Sequence, residues 1–245
     1  MNKIALRFAA ALLIAVAIVY NRNYQETFGR SETSPPKEPN AANEQSAQPT
    51  EAEPPGSGFD FYVLALSWSP SYCQSKGASA DPQQCNIQRP LAFVVHGLWP
   101  QNERGAPADC QAGEAQYIDR SVFETVKDIM PSLSLARHEW KKHGACSGLS
   151  QSQYFNTIVS AAASVVMPEM FRSAPSGREL APSEVENAFI QANSKMTSKG
   201  FAPICKNGNL TEVRICLTKD LQFRECPQVD RNSCRQRTVH MPAAR

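Results

Sequence analysis

The sequence predicts an α+β domain over residues 59–245 from three observations. Two runs rich in aromatic and β-branched residues read as strands, several stretches carry helix start and stop signals, and the two kinds do not alternate regularly. Residues 59–68 (FDFYVLALSW) and 91–99 (LAFVVHGLW) are the strands, followed by Pro70 and Pro100, and both are expected in the middle of the sheet. Ser121 and Glu124 form a capping-box pattern that opens a helix over 121–130, stopped by Pro131. Further helices are expected over 136–143 and 153–166. Another follows Pro182 over 184–195, with Ser183 as its cap and Glu186 three residues on. Residues 210–217 alternate as a strand, and 238–241 form a last short one.

Composition bounds the rest. With 42% hydrophobic and 20% charged residues, the 245-residue chain is neither wholly disordered, nor a multi-span membrane protein, nor a fibrous repeat. Lys3 and Arg7 flank the start of an apolar run over residues 8–20, the pattern of an export signal. No small-x-small pair closes that run. A removed signal over residues 1–20 and an uncleaved membrane anchor over residues 4–20 therefore both stay open, with a periplasmic or secreted destination. Residues 21–58, containing Pro35-Pro36 and Pro54-Pro55-Gly56, hold almost nothing to bury and read as a disordered, solvated tether. Of 25 basic and 23 acidic residues, 5 and 6 fall in residues 1–58, so residues 59–245 carry +3. Such a balance suits local handling of an anion rather than coating of long duplexes.

The eight cysteines, Cys73, Cys85, Cys110, Cys146, Cys205, Cys216, Cys226 and Cys234, include no C-x-x-C pair, which disfavours a zinc site. Disulfides formed after export are the expected use, and eight cysteines allow about a hundred connectivities.

Three of the four histidines lie in two dense clusters: His96 in FVVHGLWP, and His138 with His143 in RHEWKKHGACS. The second cluster is not a zinc-protease helix, which places its histidines four apart. Five residues put His138 and His143 about 140° apart on a helix, whereas Glu139 and His143 are separated by about 40°. Lys142 lies one turn from Glu139 and from His138. Two imidazoles, a carboxylate and an ammonium suit the attack of an RNA 2′-hydroxyl on its neighbouring phosphate. One imidazole takes the nucleophile's proton, the other protonates the leaving oxygen, and the cation stabilises the phosphorane, with no metal or cofactor.

FVVHGLWP at 93–100 and HEWKKHG at 138–144 closely resemble the two active-site signatures of the ribonuclease T2 family, exported endoribonucleases. The resemblance runs from FDFYVLALSWSPSYC at 59–73 to the C-terminal cysteines. It implies a central, mainly antiparallel sheet with packed helices and a monomeric enzyme acting on single-stranded RNA with broad base tolerance. It implies His143 as the first-step base and His96 as the acid, with roles exchanged when the 2′,3′-cyclic phosphate is hydrolysed. Glu139 and Lys142 would stabilise the pentacovalent phosphorus, and His138 would bind phosphate. Trp99 joins the substrate-binding residues by shaping the pocket rather than by stacking on a base. The implied disulfides are Cys73 with Cys85, Cys110 with Cys146, Cys205 with Cys234 and Cys216 with Cys226. Leu66 stands where plant members carry a base-binding Gln. The rival readings are a zinc hydrolase, opposed by the histidine spacing, and a non-catalytic RNA-binding or signalling protein on the same fold, opposed by the intact pair His96 and His143.

Overall fold

A computed structural model describes residues 58–107, 110, 117–173 and 175–244; the export segment and the tether up to residue 57 lie outside the described residues. Its first half runs β1 (Phe61–Trp68), α1 (Ser69–Lys76), β2 (Phe93–Gln101), α2 (Arg120–Val126), α3 (Leu133–Lys142) and α4 (Gln151–Ala163). The second half adds α5 (Glu169–Arg172), β3 (Arg178–Leu180), α6 (Pro182–Ala192), β4 (Phe201–Lys206), β5 (Asn209–Leu217), α7 (Pro227–Asp230) and β6 (Val239–Met241). The strands form one sheet in the order β2-β1-β5-β6-β3, with β4 also paired to β5, and every pairing except β5 with β6 is antiparallel. Among the described residues no helix is long and apolar enough to cross a membrane.

β1 is central because it is apolar on both faces. Tyr62, Leu64, Leu66 and Trp68 enter the main core, while Phe61 and Val63 enter a smaller one on the other side. β2, also expected in the middle, is instead the edge strand. It continues through Pro100, paired in register with Tyr62. A proline cannot donate to a ladder, and an edge strand tolerates that loss. β4, absent from the sequence reading, contains Pro203 and, among the described residues, likewise pairs with one strand, β5. Its hairpin turn, Asn207-Gly208, has both φ angles positive, at 51° and 82°, the conformation an Asn-Gly pair favours between strands.

The helices start where side chains satisfy their first amides, and not always at the expected residue. Ser132 caps α3 by accepting from the Leu135 amide, and Ser150 with Gln153 makes a reciprocal box that starts α4 two residues early. Ser121 does not cap α2: the helix starts after Asp119, which places Ser121 inside its first turn, and the Glu124 carboxylate pairs with Lys127. Nor does Ser183 cap α6: Pro182 already occupies its first turn and the Glu184 carboxylate accepts the Ala181 amide at 2.6 Å.

The main core forms where α3 (Ala136, Trp140), α4 (Tyr154, Phe155, Ile158) and α6 (Val185, Phe189) cover the sheet. Four disulfides close, Cys73–Cys85, Cys110–Cys146, Cys205–Cys234 and Cys216–Cys226, the same pairs that the family resemblance implies. Each is expected to stabilise by about 2–4 kcal/mol. Cys216 and Cys226 also belong to the smaller core, so that bridge seals the C-terminal segment over Phe61 and Val63.

Tyr154 ties this core to β2: its buried hydroxyl donates to the Leu98 carbonyl at 2.8 Å. Tyr154→Phe should lower unfolding stability by about 1–2 kcal/mol in denaturant titration. An unchanged midpoint would show that the hydroxyl does not hold β2 in place.

Candidate active site

His96 stands at a β-bulge. The β1–β2 register passes from Ala65 opposite Gly97 to Leu66 opposite Val95, leaving His96 without a partner on β1. The extra residue inverts the alternation, so Val95 and Leu98, three apart, both reach the main core. His96 is released from the ladder and half-exposed, an arrangement in which a bulge redirects a side chain.

Three elements meet there. From β5, the buried Glu212 places Oε2 2.5 Å from His96 Nδ1, and Arg214 Nε donates to Glu212 Oε1 at 2.7 Å. From α3, the buried Glu139 places Oε1 3.6 Å from His96 Nε2 and accepts a hydrogen bond from Trp99 Nε1 at 2.7 Å through Oε2. Trp99 on β2 lies between the histidines, its ring centroid 5.3 Å from that of His96 and 5.2 Å from that of His143. The Arg214 guanidinium sits over the same indole at 5.1 Å. Gly97 makes the assembly possible: a Cβ there would stand 2.0 Å from Glu139 Oε2 and 2.5 Å from Trp99 Nε1.

His143 is not the last helical residue expected from the sequence. α3 ends at Lys142, and His143 leaves the helical path at φ −126° while its amide still donates to the Glu139 carbonyl at 2.9 Å. His138 and Lys142 are exposed on α3, and the Lys142 ammonium makes no hydrogen bond or salt bridge among the described residues. Trp68 and Trp140 are core residues, Tyr62 is buried, and His240 pairs with Glu179 across β3 and β6.

The two imidazoles are driven apart electrostatically. Burial opposes charge on His96, but the hydrogen bond and charge of Glu212, joined by Glu139, outweigh it and hold its pKa above the ordinary 6.5. Burial and then the Lys142 ammonium pull His143 down to about 4, against the weaker preference of a helix C-terminus for a cation. Burial followed by Lys142 also lowers His138. The carboxylates split as well. Burial raises Glu139 despite its neighbours, whereas in Glu212 burial is overcome by His96 and Arg214, and its pKa is lowered.

Two recesses flank this centre. One, of about 440 Å³, lies beyond His96 and is lined by Ser67, Tyr72, Ser132, Ser134 and His138 among others. The other, of about 270 Å³, is bounded by Val63, Trp99, Gln101 and Arg214. Leu66 points into the main core and lines neither; its neighbour Ser67 faces the first recess. A larger groove of about 790 Å³, with Arg89, Arg120, Phe123 and Arg137 on its walls, contains none of the sequence-predicted site residues. Among the described residues no group of three or more His, Cys, Asp or Glu side chains is placed to hold a metal ion.

Sequence reasoning missed Glu212 and Arg214. They alternate along β5 with buried Val213 and Ile215, so the pattern reads as an ordinary solvent face. Only pairing with β1, which sets Glu212 opposite Ser67 and Arg214 opposite Ala65, brings that face to the bulge.

The model of the ribonuclease T2 family matches residues 59–226. A ribonuclease of Aeromonas hydrophila is 48% identical over 96 residues, 39% of this chain and 41% of that protein. The matched segment thus spans about two fifths of that relative's length. A ribonuclease T2 protein of Caenorhabditis elegans is 27% identical over 197 residues, 70% of this chain and 69% of its own. In fold, the chain is similar to a ribonuclease-related protein from Calystegia sepium, with a TM-score of 0.60 at 23% identity, covering 76% of this chain and 98% of the other.

Gly97→Ala should push Glu139 away from Trp99. The expected result is loss of the hydrogen-bonded indole N–H signal of Trp99 in NMR spectra and a destabilisation of about 1–3 kcal/mol. A variant with both unchanged would show that the close approach is not required.

Proposed function

Because the chain belongs to the ribonuclease T2 family, we propose that it is an endoribonuclease that cuts single-stranded RNA by transphosphorylation and then hydrolysis. The observation that carries this reading is the pair of imidazoles against one indole with opposite protonation preferences. His143, neutral, is the base. It takes the 2′-hydroxyl proton as O2′ bonds to phosphorus, while His96, protonated, gives a proton to the departing 5′-oxygen as that P–O bond breaks. The products are a 2′,3′-cyclic phosphate end and a 5′-hydroxyl end. In hydrolysis the roles exchange. His96 takes a proton from water as it attacks, His143 returns one to O2′, and a 3′-phosphate results.

Glu139 and Lys142 flank the reacting phosphate. Lys142 meets the charge that builds on the equatorial oxygens, and Glu139, held beside His96 Nε2 by its hydrogen bond from Trp99, helps polarise the phosphorus. His138 contributes to phosphate binding, and Trp99 forms the wall between acid and base. Because His96 protonates the leaving nucleoside, that nucleoside's base is assigned to the 440 Å³ recess beyond it. Ser67, Ser132 and Ser134 line this recess with hydroxyls that rotate to donate or accept, which supports broad base tolerance. The chemistry asks for no metal or cofactor. The four disulfides support a workplace outside the reducing cytosol, periplasmic or extracellular, reached through the N-terminal signal or anchor.

The test is cleavage of single-stranded RNA by the full chain in excess chelator, with product ends identified by mass spectrometry. Cyclic and 3′-phosphate ends are expected, and His96→Ala and His143→Ala should each lower the rate by roughly 10²–10⁴-fold. A folded, fully bridged wild type that leaves RNA intact over roughly pH 4–8 would contradict the enzyme reading.

The pH profile has a fixed sense. His143 works as a base only when neutral, so kcat/KM should rise through its pKa of about 4. His96 works as an acid only when protonated, so kcat/KM should fall at a pH above 6.5. A profile still rising where His96 has lost its proton would contradict the assignment.

A further inference from the structure

We propose that Glu212, with Arg214 as its counter-charge, is the positioning residue that sets the tautomer and aim of His96. One nitrogen, Nε2, thereby serves as donor in the first step and acceptor in the second. This deepens the proposed function and rests on it.

Both Glu212 oxygens are occupied, Oε2 by His96 Nδ1 at 2.5 Å and Oε1 by Arg214 Nε at 2.7 Å. The residue is only 6% exposed, so an ionised carboxylate there needs N–H donors. His96 Nδ1 must then carry its hydrogen whether the ring is charged or neutral. The neutral ring keeps its lone pair on Nε2, on the side of Glu139. During transphosphorylation the Nε2 proton passes to O5′ as the P–O5′ bond breaks, and Nδ1–H stays on Glu212. During hydrolysis the vacant Nε2 takes a proton from water as the new P–O bond forms and P–O2′ breaks. A ring in the opposite tautomer would point its lone pair at Glu212 and could not perform the second step.

The mounting is rigid, since Glu212 is paired to Ser67 of β1 on one side and Ile204 of β4 on the other. The charged and titratable groups around His96 are Glu139 from α3, Glu212 and Arg214 from β5, and His138 and His143. Glu139 cannot substitute. It stands 3.6 Å from the other ring nitrogen, and one of its oxygens is engaged by Trp99. Arg214 disfavours a proton on Glu212 and so keeps the exchange on Nε2.

The experiment compares the full chain with Glu212→Gln, Glu212→Ala and Glu212→Asp, checked for folding by circular dichroism. Each variant is assayed separately on a dinucleoside monophosphate and on a nucleoside 2′,3′-cyclic phosphate. In Glu212→Gln and Glu212→Ala, kcat for both steps should fall roughly a hundredfold or more, with little change in KM. The basic limb of the profile should move to lower pH. Glu212→Asp, retaining the charge, should restore the limb more than the rate. A purely structural role would lower activity in proportion to folded protein with the limb unmoved, and that outcome overturns the proposal, as does activity within about threefold of wild type. Should the variants fail to fold, nitrogen-15 shifts of His96 in the wild type above its pKa decide: hydrogen on Nδ1 supports the proposal, and hydrogen on Nε2 overturns it. That reading needs no RNA cleavage, so a failed cleavage assay and a wrong tautomer are separate results.

Discussion

Two carboxylates held out of water beside one imidazole create the constraint on which this site depends. Glu139 and Glu212 are both nearly inaccessible, and an unpaired buried carboxylate costs far more than marginal stability allows. Their partners are therefore fixed with them: His96 between the two, Trp99 Nε1 on Glu139 and Arg214 on Glu212. The same contacts that make burial tolerable favour the protonated form of His96. His143, with burial and Lys142 and, among the described residues, no hydrogen-bonded carboxylate, has its pKa pulled down to about 4. Opposite protonation preferences thus arise from one side-chain type through surroundings alone, which supports the proposed roles of acid and base.

The fold supplies these surroundings with few special features. A bulge frees His96 from β2, and an interruption in the β4–β5 register near Thr211 lets Leu210 and Val213 enter the core while Glu212 and Arg214 take the opposite face. Gly97 leaves room for Glu139 and the Trp99 indole to meet over the strand. α3 contributes twice, Glu139 from its interior and His143 from just beyond its end, because the helix stops at Lys142. The packing of α4 behind β2, through the Tyr154 hydroxyl, keeps these parts in register.

Much of this was legible in the sequence, and the remainder was not for identifiable reasons. The α+β class and the central position of β1 follow from an apolar run buried on both faces. His96, Glu139, Lys142 and His143 stand out because chemically useful side chains cluster in two short segments. Two features defeat a local reading. The bulge at His96 breaks the two-residue period with no proline or glycine at the extra residue, and β2 looks central because its apolar content resembles that of β1. Glu212 lies 116 residues from His96, and its alternation with Val213 and Ile215 is that of any half-exposed strand. Only the order β2-β1-β5 converts that face into part of the site. β4 was concealed by Pro203, although Asn207-Gly208 between two apolar runs is a hairpin signal that could have revealed it.

The central claim is that the surroundings, not the intrinsic chemistry of imidazole, give His96 and His143 opposite protonation preferences. It is tested most directly by NMR titration of the His96 and His143 rings in the ligand-free full chain. The account predicts that His96 titrates above 6.5 and His143 far below it, near 4. Two rings titrating together near 6.5, or in the reverse order, would contradict it.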